Sequence, residues 1–197
     1  MQEITPLQYK GKAIDAHSSR LFGSLQEAKI FFKTAKERLQ SIHSWHTIAR
    51  NLSATFRLVD ASGIDLYRAP REGDYFKIDI PGPGSIEGEG YDWVKIEAVE
   101  SNAADENENY SFRVRPAGNP QTASGNTAHF YSPDSTSTFI VSRWRNKVIA
   151  AIHDRNIEPN KDADSAIDKL RDRVIGTAGV ISFSKIQWQG LTDGIVA

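Results

Sequence analysis

The sequence predicts an α+β fold with an N-terminal amphipathic helix, a curled antiparallel sheet or small barrel of about six strands, and one or two C-terminal helices. Three observations predict it. Apolar residues recur every three or four positions after Ser24, the period changes to two near residue 55, and turns rather than helices join the period-two segments. Parallel strands need a long crossover, usually a helix, so this order favours antiparallel pairing.

A lead-in and a helix open the chain. Residues 1–23 show little periodicity, so we expect an irregular lead-in arm before a single α+β domain over 24–197. Ser24 and Glu27 match a capping box, in which the two side chains satisfy each other's backbone N–H groups at a helix start. An amphipathic helix of about 20 residues should follow. Its apolar stripe consists of Ala28, Phe32, Ala35, Leu39 and Ile42.

Alternation of apolar and polar residues predicts the strands. It runs through 55–58, 74–80, 93–99 and 110–115. The polar, acidic stretch 101–109 between the last two segments is expected to be a loop. A hairpin should follow later in the chain, with strands over 138–144 and 147–155 and a turn at Arg145-Asn146.

Two further segments complete the domain. Residues 116–135 are rich in Pro, Gly, Asn, Ser and Thr and predict a long polar loop, which is uncommon in a compact domain unless it is functional or mobile. Asp162 or Asp164 should cap a late helix that stops at Gly176. The tail 180–195 fits either a helix or a strand, and we favour a helix.

Composition excludes several classes of chemistry. The chain has 197 residues and no cysteine, which removes disulfide scaffolds, thiol catalysis and cysteine-based metal sites. The net charge of −1 disfavours nucleic acid as a partner. No apolar run approaches the roughly 20 residues of a membrane span, and the first residues lack a signal-peptide pattern. We therefore expect a soluble, cytoplasmic protein with no membrane partner.

The near-neutral charge conceals a segregation of acids and bases. Between Asp79 and Glu108 there are nine carboxylates and one lysine, whereas cations concentrate on the last hairpin and the late helix. This pattern favours a non-catalytic interaction or assembly module of otherwise unknown function, which binds a protein partner or a second copy of itself. The alternative is a solvated acidic surface.

The candidates for binding fall into three groups. Gly82 and Gly84 lie in a Gly/Pro-rich segment whose backbone could approach a ligand closely, although a tightly turned connection explains the composition equally well. Aromatic side chains such as Tyr75, Trp93 and Trp144 could supply a contact surface. Arg143 and Arg145 flank Trp144 at the hairpin tip, an arrangement that could stack on a base.

Catalysis is the weaker interpretation, with a small-ligand-binding protein or a small hydrolase or isomerase as the alternative function. His153 and Arg155 would share one strand face and could bind an anion and move a proton, with His129 in support, in a pocket between sheet and helix. Ion pairs that tie a strand end to its neighbours explain His153 and Arg155 more simply. His43 with His46, and Asp105 with Asn107 and Asn109, are incomplete ligand sets, so no metal or cofactor is predicted.

Overall fold

Seven antiparallel strands form one curled sheet, in the order β1–β7–β6–β5–β4–β3–β2, in the computed structural model. The structure describes residues 4–49, 53–80, 88–123, 125–160 and 176–197, the last range with side chains from Ser184 onward. The strands are β1 (Lys12–Leu21), β2 (Thr55–Val59), β3 (Tyr75–Asp79), β4 (Asp92–Ala103), β5 (Asn107–Pro116), β6 (Thr136–Trp144) and β7 (Lys147–Ile157).

Helices cover one face of the sheet. They are α1 (Leu25–Gln40), a 3₁₀ turn (Ile42–Ser44), α2 (Trp45–Ile48) and the C-terminal α3 (Gly176–Val196). The predicted α+β class and the helical tail are confirmed. β1 and β2 are the two edges, so the sheet is open rather than a closed barrel. The helix predicted after Asp162 lies outside the described residues, and its predicted stop, Gly176, is the first residue of α3.

The predicted start of α1 is confirmed, and the helix is shorter than expected. The Ser24 hydroxyl accepts a hydrogen bond from the Glu27 backbone N–H at 3.2 Å. After Ser41, a 3₁₀ turn and the short helix α2 replace α1, so the apolar stripe continues through Ile42 although the helix does not. No helix in the described ranges is long and apolar enough to cross a membrane.

The prediction of an irregular lead-in over 1–23 is wrong, because residues 12–21 form the edge strand β1 against β7. Only Ile14 and Ala16 are buried on this strand, so it lacks the alternation that marks a half-buried strand. The segment before it is also held in place. Asn156, with a left-handed φ of 57°, accepts from the Tyr9 N–H at 2.9 Å and donates to the Leu7 carbonyl at 3.2 Å.

The predicted loop over 101–109 is wrong too. β4 extends to Ala103, β5 begins at Asn107, and only residues 104–106 turn between them. Both strands have polar residues there because their ends are mostly exposed, and backbone pairing continues along them to the turn. A register shift between Ile96 and Ala98 also changes which side chains face the helices, so Val99 rather than Ala98 packs on the core.

Trp45 fills the centre of the concave face, which we call the inner face. Its ring lies 5.1 Å from Phe139, 5.3 Å from Phe56 and 5.7 Å from Phe76, measured between centroids. Its indole N–H donates to the Leu39 carbonyl at 3.1 Å, so the burial of the ring leaves no polar atom unpaired. The helices therefore pack on the sheet through one aromatic cluster.

α3 is held against this cluster at its C-terminal end. The Arg38 guanidinium of α1 donates to the Ile195 and Ala197 carbonyls, each at 2.9 Å, and so satisfies carbonyls that a helix end leaves unpaired. Gly194 allows close approach to α2, since a Cβ there would lie 2.1 Å from the Ile48 carbonyl oxygen.

The predicted hairpin at Arg145-Asn146 is confirmed, and Arg143 joins it to the neighbouring β4–β5 turn. The Arg143 side chain is fully buried. It donates to the Glu108 carboxylate at 2.6 Å, to the Asp105 carbonyl at 3.0 Å and to the Arg145 carbonyl at 2.8 Å. One guanidinium thus connects the ends of two hairpins.

We expect Arg143→Met to lower the free energy of unfolding by about 3 kcal/mol, because it leaves Glu108 and two carbonyls without their donor. Arg145→Met removes the same charge from an exposed neighbour and should change stability by less than about 0.5 kcal/mol. Chemical denaturation of both variants measures the difference. Equal losses in the two variants would contradict a connecting role for Arg143.

Candidate functional site

A cavity of about 70 Å³ separates α3 from one end of the inner face. Its wall is mostly aromatic and aliphatic. The strands and their flanks contribute Ala54, Phe56, Phe76, Ile78, Ile80, Val94, Val114, Ser137 and Phe139; the long loop contributes His129, Phe130 and Tyr131; α3 contributes Ser184, Gln187 and Trp188. Trp45 fills the inner face nearer the centre and does not line the cavity.

Few polar groups line this wall, and several are paired with one another. The Tyr131 hydroxyl and the Ser184 hydroxyl lie 2.9 Å apart, which ties the long loop to α3. Gln187 accepts from the Ser53 N–H at 3.0 Å and donates to the Ser53 hydroxyl at 2.9 Å, which ties α3 to the chain just before β2. The cavity is thus bounded by three elements joined through side-chain hydrogen bonds.

His129 is the one predicted catalytic candidate that lines the cavity. Burial lowers its pKa to about 3, so the imidazole is neutral at physiological pH. Its Nδ1 accepts a hydrogen bond from the Tyr131 backbone N–H at 2.9 Å, which places the ring proton on Nε2. His129 can therefore donate a hydrogen bond from Nε2, but it is a poor base at neutral pH.

Asp92 and Asp154 are buried carboxylates on the inner face near this end. Burial raises the pKa of Asp92 to about 7 and that of Asp154 to about 6. Asp92 accepts a 3.4 Å hydrogen bond from the Phe130 N–H, and Asp154 accepts one from the Trp188 indole at 2.9 Å. Both partners line the cavity, so each carboxylate supports part of its wall.

The structure places His153 and Arg155 on the opposite, outer face. His153 Nδ1 lies 2.6 Å from an Asp15 carboxylate oxygen, and Arg155 donates to the same oxygen at 2.8 Å. Neither residue lines the cavity. This geometry fits the simpler interpretation, in which the two side chains tie β7 to the edge strand β1.

The predicted binding residues are not brought together. Trp93 is fully buried in a second small cluster with Val59 and Ala128. Arg143 is buried as well, so neither side chain can form a contact surface. At the hairpin tip Trp144 is 62% exposed, with the Arg145 guanidinium 5.9 Å from its ring centroid. Gly82 and Gly84 lie outside the described residues.

The segregated charges of the sequence meet within the chain. Glu97 accepts from Arg113 at 2.8 Å and also pairs with Arg115, while Lys29 lies 3.3 Å from Asp105. Arg143 on β6 likewise pairs with Glu108 on β5, so residues of opposite charge that are separated in the sequence lie side by side in the sheet. Part of the acidic run is therefore paired within the domain, and a protein partner or self-association stays a prediction.

Neither of the two incomplete metal-ligand sets gains a further ligand from the described residues. His43 stacks on Tyr67 with centroids 4.7 Å apart, and its Nε2 lies 3.2 Å from the Leu66 carbonyl. Asp105 belongs to the β4–β5 turn. Within the described ranges, no three His, Asp or Glu side chains are grouped so as to hold a metal ion.

Sequence reasoning missed Tyr131, Asp154 and Trp188. One available signal was the aromatic run at 129–131 inside an otherwise polar loop, since such a run indicates that the loop packs inward. Another was Trp188, four residues after Ser184 and three before Leu191 on one face of the tail helix.

No protein-family model and no curated protein sequence matches the chain. Among solved structures, the chain is similar to a hypothetical protein from Helicobacter pylori, with a TM-score of 0.50, 10% identity and coverage of 100% of this chain and 97% of that one. At this identity the likeness concerns the fold alone.

Two more distant structures are also similar. A START superfamily protein from Mycobacterium smegmatis has a TM-score of 0.37 and 10% identity over 92% of this chain and 100% of that chain. The protein Ara h 8.0201 has a TM-score of 0.33 and 14% identity over 92% and 99% of the two chains.

Asp92→Asn should stabilise the protein increasingly as pH rises. Folded Asp92 keeps its proton up to about pH 7, whereas in the unfolded chain the same carboxyl group loses its proton near pH 3.8. The folded state therefore loses stability relative to the unfolded state as pH rises between these two values. The advantage of the variant in unfolding free energy should grow by on the order of 1 kcal/mol per pH unit between about pH 4 and 7 and then level off. Denaturation at a series of pH values measures it.

Asp15→Asn provides a control of opposite sign. Although burial opposes the shift, hydrogen bonds from His153 and Arg155 lower the pKa of Asp15, so its ionised form stabilises the fold. That variant should be less stable than the wild type at neutral pH, and the deficit should vanish as pH falls through the lowered pKa of Asp15. A flat profile for Asp92→Asn would contradict a buried, ionisable Asp92.

Proposed function

We propose that the protein binds a small, mainly apolar molecule in the cavity between the inner face and α3. One observation carries the proposal: a space walled by aromatic and aliphatic side chains remains in an otherwise filled core, with a few polar groups at its border. Pockets for small molecules typically combine an apolar wall with a small number of placed polar groups.

The size of the space limits the ligand. Drug-sized ligands occupy pockets of about 300–1,000 Å³. The cavity here is about 70 Å³, so the proposed ligand is a short chain or a single ring. A larger molecule would require α3 and the 129–131 segment to move apart, at the cost of the Tyr131–Ser184 contact.

Titration with 1-pentanol, followed by the side-chain methyl resonances of Val and Ile, tests the proposal. The methyl groups of Ile78, Ile80, Val94 and Val114 line the cavity and should shift together and saturably. Val141 and Val148 are buried in the same core away from the cavity and should not shift. Shifts confined to surface residues, or none at all, would sink the proposal.

Val114→Ile and Val148→Ile form a matched pair of variants. Each adds one methylene to a buried valine, but only Val114 borders the space. Val114→Ile should weaken 1-pentanol binding by about threefold or more and cost little stability, because it fills a void. Val148→Ile should leave binding unchanged and cost about 1 kcal/mol through overpacking. The reverse pattern would place the ligand elsewhere.

A further inference from the structure

Asp154 on β7 has a free acceptor atom close to the cavity. The residue is fully buried, and the Trp188 indole donates to its Oδ2 at 2.9 Å. Ser137 is near enough to lower the pKa of the carboxyl group, which burial raises. Even so, no donor in the described part of the chain reaches Oδ1 with hydrogen-bond geometry. A buried carboxylate oxygen without a donor is costly and calls for an explanation.

Asp154 lies directly behind residues that line the cavity. In the register of the sheet Asp154 lies opposite Ser137, and both are on the inner face. Ser137 and Trp188 line the cavity and both contact the carboxyl group. Tyr131, a third lining residue, is near enough that the charge of Asp154 adds to the effect of burial in raising the pKa of its hydroxyl. Asp154 therefore stands one side chain behind the wall.

The charges around this end have one sign. Among the described residues, the cation that acts on Asp154 is Arg155, whose guanidinium lies on the outer face and pairs with Asp15. The described ionisable groups on the inner side at this end include the Asp92 carboxyl group, the neutral His129 imidazole and the Tyr131 phenol, whose pKa burial raises. An anionic ligand would find hydrogen-bond donors here but no cation among the described residues that line the cavity, and it would be repelled by the buried carboxylates, whereas the charge of a cation would be compensated.

We infer that the cavity selects a short apolar molecule with a primary ammonium head, and that the ammonium donates to the free oxygen of Asp154. The inference rests on the proposed function, since it assumes that a ligand enters this cavity. The head group would lie between Ser137 and Tyr131 and displace the Ser137 hydroxyl from the carboxylate. The alkyl part would then extend along Phe76 and Ile78, which form the apolar wall.

Three probes with one alkyl chain test the choice of head group: pentylamine, 1-pentanol and pentanoate, titrated at about pH 7.5, where the amine and the acid are ionised. Binding is followed at the methyl groups that line the cavity. Pentylamine should bind about tenfold more tightly than 1-pentanol, because a hydrogen bond to a charged group is worth more than a neutral one. Pentanoate should bind at least about tenfold more weakly than 1-pentanol.

Asp154→Asn keeps the shape and removes the charge, so the amine and the alcohol should then bind within about threefold of each other. Asp92→Asn is the matched control, since it removes the other buried carboxylate at this border and should keep the preference. Preference for the amine that persists in folded Asp154→Asn, or that disappears only in Asp92→Asn, overturns the assignment to Asp154.

The wild-type series decides the question if Asp154→Asn does not fold. Pentanoate binding as tightly as pentylamine overturns the inference without any variant. Saturable shifts with 1-pentanol but no gain with pentylamine would reject the ammonium head and leave the proposed function standing. No shift with any of the three probes would reject the proposed function itself.

Discussion

The packing of Trp45 against the concave sheet governs the architecture. A curled sheet presents a hollow that helices must fill, and here α2 places one indole where the rings of Phe56, Phe76 and Phe139 converge. α1 positions that indole through the Leu39 carbonyl, and α3 closes over it with Trp188, whose ring lies 5.4 Å from Phe139. Trp45 is not among the residues that line the cavity, which lies beneath Ser184, Gln187 and Trp188 of α3.

The buried polar groups differ between the filled part of the inner face and the end that holds the cavity. At the filled end, Arg143 and Arg38 satisfy the backbone groups of turns and helix ends, so burial of charge there is fully compensated. At the open end, burial raises the pKa values of Asp92 and Asp154, and their few donors do not offset it. Their ionised forms reduce stability at neutral pH. Strongly shifted pKa values occur both at functional sites and in structural networks, and here each carboxylate accepts a hydrogen bond from a residue that lines the same cavity.

About half of the organisation could be predicted from the sequence. The helix cap at Ser24, the stripe from Ala28 to Leu39 and the turn at Arg145 follow from short-range rules, and the structure has them where expected. Of the site residues that the sequence predicted and the structure describes, only His129 lines the cavity. The charge pattern did not reveal that some acids on β4 and β5 pair with cations on neighbouring strands, as Glu97 does with Arg115.

By itself, the sequence determined the local elements: where α1 starts, which segments alternate as strands, and that no cysteine chemistry is available. The tertiary structure alone decided that residues 12–21 form an edge strand, that His153 faces outward, and that a cavity exists. Tyr131 meets Ser184 across 53 positions and Asp154 meets Trp188 across 34. Such contacts depend on the curl and register of the whole sheet, which no local period encodes.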